Sequence, residues 1–179
     1  MHITKTSFRE LLIIRQRIFS DNRGRFLETW NEESFRQAGI PWLYKQDNQS
    51  TSSKHVLRGL HFQAPPWEQG KLIRVIKGSV LDVAVDLRRN EPTYRQHFKM
   101  ELQDPEEWLY IPPGFAHGFL ALEEDTIFAY KCSQVYNRES ERSVYWNDPD
   151  LDIDWGVKEV ILSEKDRKAP LLSKLDNPF

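Results

Sequence analysis

Cysteine, long apolar runs and blocks of like charge are all scarce in this chain of 179 residues. Cys132 is the only cysteine, so no internal disulfide can form, which is typical of a reducing compartment. No apolar run is long enough to cross a bilayer, and the first residues lack a signal-peptide pattern. The formal net charge is −2 and no basic block is present. We therefore expect a cytoplasmic protein that has neither nucleic acid nor a membrane as a partner.

The composition of the chain is typical of one globular domain, which we place at residues 1–179. Hydrophobic residues make up 39% and charged residues 29%, as in folded rather than disordered proteins. Many short β-forming runs are separated by turn signals, and little of the sequence favours helix. The pattern predicts a mainly β, antiparallel sandwich or small barrel with a few short helices, a class that often encloses one small ligand.

The strand predictions rest on β-forming residues and on alternation of polar and apolar positions. Turn residues 21–24 would join the first two strands into a hairpin, and Gly78 would join the fifth and sixth. Asn31 and Ser163 are predicted to cap short helices over residues 31–38 and 163–168. The predicted strands are Leu11–Arg17, Phe26–Trp30, Tyr44–Ser52, Val56–Phe62, Lys71–Lys77, Ser79–Leu87, His97–Leu102, Trp108–Ile111, Phe115–Leu122 and Asp125–Tyr136.

One stretch, Val56–Gly70, places an arginine and a histidine inside an apolar strand. Strict alternation would put Arg58 and His61 on opposite faces, but a bulge at Gly59 would turn both inward. The alternative is a core histidine bonded to backbone, with Arg58 paired at the surface. This stretch alone leaves both interpretations open.

A second histidine, His117, follows Pro112-Pro113-Gly114-Phe115-Ala116 with the spacing of the second cupin motif. Cupins are double-stranded β-helix, or jelly-roll, barrels, and metal-binding cupins also carry a His-x-His pair. Here the pair is His61-Phe62-Gln63, and an amide is a poor metal ligand beside histidine. The sequence thus resembles a cupin without a metal or other cofactor. A metal-dependent enzyme that uses His61, Glu68 and His117 remains the alternative.

A barrel without a metal must activate its substrate with side chains. We predict His61 as a base, Tyr130 as an acid, Lys71 as the electrophile and Asp166 as the group that orients His61. Each residue also has a plainer interpretation. Tyr130 would be packing, Lys71 would be solvated, and Asp166 would be a charge at a helix N-terminus.

Seven motifs are spread over nearly the whole chain. They are Phe19-Ser20-Asp21-Asn22-Arg23-Gly24-Arg25-Phe26-Leu27-Glu28, Gln46-Asp47-Asn48, Arg58-Gly59-Leu60-His61, Gln69-Gly70-Lys71, Asp82-Val83-Ala84-Val85-Asp86, Gly114-Phe115-Ala116-His117-Gly118-Phe119 and Trp146-Asn147-Asp148. No single motif is decisive, but their order and spacing are specific. Taken together, they resemble the motifs of the dTDP-4-dehydrorhamnose 3,5-epimerase family.

The resemblance implies a homodimeric cupin-type barrel that inverts C3 and C5 of dTDP-4-dehydro-6-deoxy-glucose without a cofactor. By the same resemblance His61 is the base, held by Asp166, and Tyr130 is the acid. Contacts to the sugar and to its enolate fall on Arg58, Lys71 and His117. Nucleotide contacts fall on Arg23, Glu28, Gln46, Asn48, Glu141 and Lys165, with Tyr136 stacked on thymine and Phe26 closing its other face.

Departures from the family pattern lie outside this set, at Tyr44-Lys45 and Arg95-Gln96. They leave open a 3-epimerase or a ketoisomerase that acts on a related dTDP-4-keto sugar. A non-catalytic sugar-nucleotide-binding barrel is a further alternative. The sequence alone does not determine the natural sugar nucleotide, nor which polysaccharide or metabolite its product enters.

Overall fold

The structure, a computed structural model, describes residues 1–41, 43–103 and 105–179. In chain order its elements are β1 (His2–Lys5), β2 (Leu12–Arg15), β3 (Ile18–Asp21), β4 (Gly24–Leu27), α1 (Glu32–Gln37), β5 (Gln46–Ser52), β6 (Leu57–Gln63), β7 (Lys71–Lys77), β8 (Val80–Asp86), β9 (His97–Leu102), β10 (Glu107–Ile111), β11 (Phe115–Ala121), β12 (Thr126–Cys132), β13 (Glu141–Ser143), α2 (Glu164–Arg167) and a 3₁₀ helix (Leu172–Lys174).

Two antiparallel sheets build the body of the molecule. The six-stranded sheet has the order β1-β2-β10-β7-β12-β5, and the five-stranded sheet has the order β13-β6-β11-β8-β9. Among the strands of the described ranges, β3 and β4 pair only with each other, as a separate hairpin. The mainly β, cupin-like fold predicted from the sequence is confirmed.

Three apolar layers stabilise the sheets, and each buried Leu, Ile, Val or Phe side chain contributes roughly 1.5–3 kcal/mol. The layer between the sheets includes Ile73 and Phe128 from one sheet and Phe115 and Phe119 from the other. The outer face of the five-stranded sheet is covered by the C-terminal segment, which contributes Trp146, Leu151, Ile153, Trp155 and Leu172. Phe35 of α1 covers the outer face of the six-stranded sheet.

Period-2 alternation decides which side chains enter the space between the sheets. In β8, Val83 and Val85 join the outer layer, whereas Val80 and Ala84 join the inner one. Asp82 has the same parity as Ala84 and is fully buried. Because successive strand residues face opposite sides, the odd residues of β7 and the even residues of β12 also face inward.

Both predicted helix caps are confirmed. The Asn31 side chain accepts a hydrogen bond from Ser34 N at 3.0 Å and begins α1. The Ser163 hydroxyl accepts from Asp166 N at 3.1 Å and begins α2, which brings Asp166 against β6. No helix in the described ranges has the length and apolar character needed to span a membrane.

Three strand predictions are wrong in their extent or pairing. The segment Leu11–Arg17 does not form a hairpin with Phe26–Trp30, because β2 pairs with β1 and β10 while β3 pairs with β4. Gly78 does not close a hairpin, because β7 and β8 belong to different sheets. The strand predicted to reach Tyr136 ends at Cys132, so strand alternation does not relate Tyr130 to Tyr136.

Candidate active site

A cavity of about 260 Å³ opens between the two sheets and collects most of the residues predicted to do chemistry. A smaller hollow of about 90 Å³ adjoins it and shares His61, Lys71 and Tyr130. The larger cavity is lined by Ser50, Arg58, His61, Lys71, His117, Phe119, Phe128, Tyr130, Ser163, Lys165 and Asp166. The smaller is lined by Gln46, Asn48, His61, Phe62, Gln63, Gln69, Lys71, Tyr130, Cys132, Tyr136 and Glu141.

A bulge in β6 brings Arg58 and His61 to the same cavity. His117 pairs with His61 and Phe119 pairs with Arg58, so two steps along β11 match three steps along β6. Gly59 lies in the bulge with φ +147°, and a Cβ there would come within 2.5 Å of Gly118 Cα. The bulge predicted from the sequence is therefore confirmed, and it depends on two glycines that allow close backbone approach.

His61 and Asp166 form a hydrogen-bonded pair. Asp166 Oδ1 lies 2.6 Å from His61 Nε2, and the Asp166 side chain is 5% exposed against 28% for His61. Burial would raise the pKa of Asp166, but hydrogen bonds from His61 and Ser163 outweigh it and lower that pKa. A carboxylate that stays ionised here can stabilise a charged imidazole. The alternative of a histidine bonded to backbone is wrong.

Tyr130 and Lys71 enter the cavity from the sheet opposite His61. Tyr130 lies on β12 and Lys71 on the neighbouring β7, with Lys71 Nζ 6.0 Å from the centre of the Tyr130 ring. Burial raises the pKa of Tyr130, although Arg58 opposes this, so the phenol carries its proton at neutral pH. Burial lowers the pKa of Lys71. An amine donates hydrogen bonds in either protonation state.

His117 is held by a second aspartate. His117 Nε2 lies 2.8 Å from Asp82 Oδ2, and both side chains are almost completely buried. Burial lowers the pKa of His117, and the charges of Lys71 and His61 act in the same direction, although Asp82 opposes them.

Five residues predicted to contact a nucleotide cluster at the mouth of the smaller hollow. Tyr136 N donates to Gln46 Oε1 at 2.7 Å, and Gln46 Nε2 donates to Asn48 Oδ1 at 2.9 Å. Glu141 accepts from the Tyr136 hydroxyl at 3.0 Å and pairs with Lys165. Burial would raise the pKa of Glu141, but these two partners lower it. Tyr136 is 53% exposed, so its ring is open to a flat ligand.

Three further predicted residues lie away from the cavity, on or just after the β3–β4 hairpin. Arg23 pairs with Asp21 at 2.6 Å, and Glu28 accepts from Asn31 at 3.2 Å. Phe26 is 67% exposed and none of the three lines either hollow. Within one chain, therefore, the fold does not bring these residues to the site.

The residues present do not match a metal site. The buried Gln63 amide donates to Trp67 O and Val135 O and accepts from Asn137 N, so it holds the following loops. Glu68, the carboxylate of the metal-dependent alternative, lines neither hollow. Across residues 1–41, 43–103 and 105–179, no group of three or more His, Cys, Asp or Glu side chains is arranged to hold a metal ion.

The sequence interpretation missed three residues in or behind the two hollows, namely Asp82, Ser50 and Cys132. Asp82 holds His117, the Ser50 hydroxyl is buried with no hydrogen-bond partner among the residues that the structure describes, and Cys132 Sγ accepts from Asn48 at 3.6 Å. Strand alternation could have identified each of them, because each occupies an inward-facing position of its strand. Ser50, for example, shares the face of Gln46 and Asn48 in β5.

Comparison with known proteins identifies a consistent set of relatives. The family model described as dTDP-4-dehydrorhamnose 3,5-epimerase matches residues 5–174. The epimerase of that name from Methanothermobacter thermautotrophicus is 47% identical over 167 residues, which cover 91% of this chain and 90% of the relative.

Two solved structures are equally close in fold. The dTDP-4-dehydrorhamnose 3,5-epimerase from Elizabethkingia anophelis superposes with a TM-score of 0.92 at 46% identity, covering 99% of this chain and 98% of that one. The dTDP-6-deoxy-D-glucose-3,5-epimerase from Legionella pneumophila, in complex with dTDP-4-keto-L-rhamnose, gives 0.93 at 44% identity and covers 98% and 94% of the two chains.

Proposed function

Because this chain belongs to the dTDP-4-dehydrorhamnose 3,5-epimerase family, we propose that it inverts C3 and C5 of dTDP-4-dehydro-6-deoxy-D-glucose. The product is dTDP-4-dehydro-L-rhamnose, a precursor of dTDP-L-rhamnose. The observation that carries the proposal is the placement of the His61–Asp166 pair and Tyr130 on opposite sheets of one cavity.

In the first step His61 removes a proton from a carbon beside the C4 ketone. The C–H bond breaks, its electron pair delocalises onto O4, and the proton goes to His61 Nδ1, because Nε2 is bonded to Asp166. Asp166 stabilises the resulting imidazolium, and Lys71 donates to the developing oxyanion.

In the second step Tyr130 returns a proton to the opposite face. The enolate reforms the ketone as the carbon takes the phenolic proton, and solvent then reprotonates the phenolate. Since His61 and Tyr130 face the cavity from different sheets, removal and delivery occur on opposite faces of the sugar ring, which inverts the centre. General acid–base assistance contributes roughly 10²–10⁴-fold, so oxyanion stabilisation and positioning supply the remainder.

The nucleotide half of the substrate fits the polar cluster beside this cavity. Gln46 and Asn48 offer amide groups, Lys165 offers a positive charge to the diphosphate, and Tyr136 offers an exposed ring to thymine. Arg58, whose Nε donates to the Ser52 hydroxyl at 3.1 Å, lines the larger cavity and offers a positive charge to the sugar half.

A homodimer would explain the residues that lie outside the site. The β3–β4 hairpin presents Phe19 and Phe26 to solvent, 49% and 67% exposed, and neither of its strands pairs with a third strand in the described part of the chain. Exposed aromatic rings and free strand edges favour association with another chain. In this arrangement Arg23, Phe26 and Glu28 of one subunit would complete the nucleotide site of the other.

The test is incubation with dTDP-4-dehydro-6-deoxy-D-glucose in deuterated water, with NMR used to locate the label. We expect deuterium at C3 and C5 and a product of inverted configuration, with and without a chelator. Label at C3 alone would identify a 3-epimerase, and migration of the ketone would identify a ketoisomerase. Turnover that required an added metal would favour the metal-dependent alternative, and binding without exchange would favour a non-catalytic barrel.

A further inference from the structure

A second histidine–aspartate pair lies directly beside the first and is not needed for the proton transfers proposed above. His117 is the cross-strand neighbour of His61, and its Nε2 atom is 2.8 Å from Asp82 Oδ2. Asp82 is 0% exposed and His117 is 6% exposed, with its accessible surface on the cavity. A fully buried carboxylate carries a large desolvation cost, so its presence in the barrel requires a compensating interaction.

The hydrogen bond decides which nitrogen of His117 carries a proton. An ionised carboxylate only accepts, so Nε2 must be the donor of the bond to Asp82. In a neutral imidazole the other nitrogen is then an acceptor. Among the described residues Nδ1 of His117 has no hydrogen-bond partner, and the ring lies against Phe128 with an interplanar angle of 22°. This leaves Nδ1 as the polar group of His117 that can meet a ligand.

The charges around the pair favour this assignment. Burial lowers the pKa of Lys71, and the nearby charge of Asp82 opposes that shift, so the amine and the carboxylate attract each other across the cavity. Burial and the nearby charges of Lys71 and His61 lower the pKa of His117, which favours the neutral ring. A neutral His117 also avoids adding a further positive charge when His61 takes up its proton, in a cavity that Arg58, Lys71 and Lys165 already line.

We propose that Asp82 is a positioning residue that holds His117 in the Nε2–H tautomer, so that His117 Nδ1 accepts a hydrogen bond from a ring hydroxyl of the sugar. The inference rests on the proposed function. It divides the cavity into a donor side, with Lys71 at the ketone oxygen, and an acceptor side at His117. His117 then selects for a hydroxylated 4-keto sugar, because an analogue that lacks the hydroxyl leaves a buried acceptor unpaired.

The tautomer is measured directly on the unmodified protein. Long-range ¹H–¹⁵N spectra of protein labelled at histidine, with the His117 signals assigned by their loss in His117→Gln, report the protonation of each ring nitrogen. We expect Nε2 to be protonated and Nδ1 to be unprotonated near neutral pH. A proton on Nδ1, in either the other tautomer or an imidazolium, would overturn the proposal.

The selectivity is measured with the 2-deoxy and 3-deoxy analogues of the dTDP-4-keto-6-deoxy sugar. We expect the wild-type protein to lose about tenfold or more in kcat/KM for hydrogen exchange with one of them, the usual effect of an unpaired buried polar group. In Asp82→Asn the amide can donate to Nε2 and so permits the other tautomer. The loss in kcat/KM caused by the missing hydroxyl should then be smaller than in the wild-type protein. For the native substrate kcat/KM should fall about tenfold.

Asp86→Asn is the matched control, because Asp86 is equally buried on the same strand but bonds to Arg88 and Thr93. It should lose stability and keep the wild-type loss in kcat/KM for the analogue that lacks the hydroxyl.

If the wild-type protein shows no penalty with either analogue, or Asp82→Asn keeps the full penalty, the inference fails while the proposed function stands. If the wild-type protein does not exchange the native substrate, the proposed function fails, and the NMR result still decides the tautomer. That spectrum also decides the tautomer if Asp82→Asn does not fold.

Discussion

At the scale of single residues, the proposed chemistry depends most on the imidazole of His61. His61→Asn keeps some hydrogen bonding to Asp166 but cannot take a proton from carbon. We expect turnover and solvent exchange to fall by at least about 10²–10⁴-fold, with dTDP affinity changed little. Asp166→Asn should also be severely impaired, because it no longer stabilises the charged imidazole. NMR in deuterated water and calorimetry with dTDP measure both effects, and near-normal exchange in His61→Asn would mean that another group is the base.

Tyr130 allows the two halves of the reaction to be separated. Tyr130→Phe keeps the ring and its contact with Phe128 but removes the phenolic proton. His61 can still form the enolate, exchange its proton with solvent and return a deuteron to the original face. We expect deuterium incorporation with mostly retained configuration, so that epimer formation falls far more than exchange. Equal loss of both rates would instead indicate that Tyr130 shapes the pocket.

Single site residues can be predicted from the sequence when they interrupt the pattern of their own strand. His61, Lys71 and Tyr130 stand out because each is a polar group at an inward position of an apolar strand. Asp82 has the same signal, but its partner is 35 residues away, and the sequence does not show which buried aspartate faces a histidine and which faces Arg88.

At the scale of elements, the contact between β6 and β11 is the feature that shapes the site. A Cβ on Gly118 would lie 2.8 Å from Arg58 O and 2.9 Å from Gly59 Cα, both of them backbone atoms. Gly118→Ala should therefore destabilise the fold by about 1–3 kcal/mol or more and reduce activity by misplacing Arg58 and His61. Thermal unfolding and the exchange assay measure the two effects.

Gly39→Ala is the control for this substitution. Gly39 has φ +70° after α1, and a Cβ there meets no atom within 4 Å. It should lose about 1 kcal/mol through backbone strain alone and keep full activity. Wild-type activity in Gly118→Ala would show that the bulge tolerates a wider strand separation.

Element predictions succeeded where local pattern decides the structure and failed where pairing is long-range. The strands β7 and β8 and the two helix caps follow from local pattern, and they are confirmed. The turn at Gly78 has the residues of a hairpin, yet the chain passes there from one sheet to the other. Whether two neighbouring strands pair is decided by the layers that pack on them, which a local pattern does not encode.

At the scale of the whole molecule, the proposed exchange of hairpins predicts complementation between inactive chains. His61→Asn lacks the base, and Arg23→Ala with Phe26→Ala lacks the hairpin contacts. Mixing the two after dissociation and reassociation should restore activity to about a quarter of wild type, since half the dimers are mixed and each contains one complete site. Light scattering checks the dimer, and a fully active monomer would contradict the proposal.

Acid should destabilise the molecule through its partly or fully buried carboxylates. Asp86, Glu141 and Asp166 all have a pKa lowered in the folded state, in each case because hydrogen-bonded partners outweigh burial. A lowered folded pKa contributes stability above the unfolded pKa, and that contribution is lost as pH falls through the folded value. We expect a lower free energy of unfolding at about pH 3 than at about pH 6 by denaturant titration. Asp86→Asn should flatten this dependence.

The distance of 105 residues along the chain between His61 and Asp166 also affects when the site can form during folding. A chain that leaves the ribosome can pair β7 with β12 only after three quarters of its length has emerged, and α2 comes later still. Non-local pairings of this kind fold slowly, on a scale of roughly milliseconds to seconds. In a refolding experiment enzymatic activity should return with or after the burial of Trp146 and Trp155, since the C-terminal segment that contains them covers the five-stranded sheet and leads into α2, which holds Asp166 against β6.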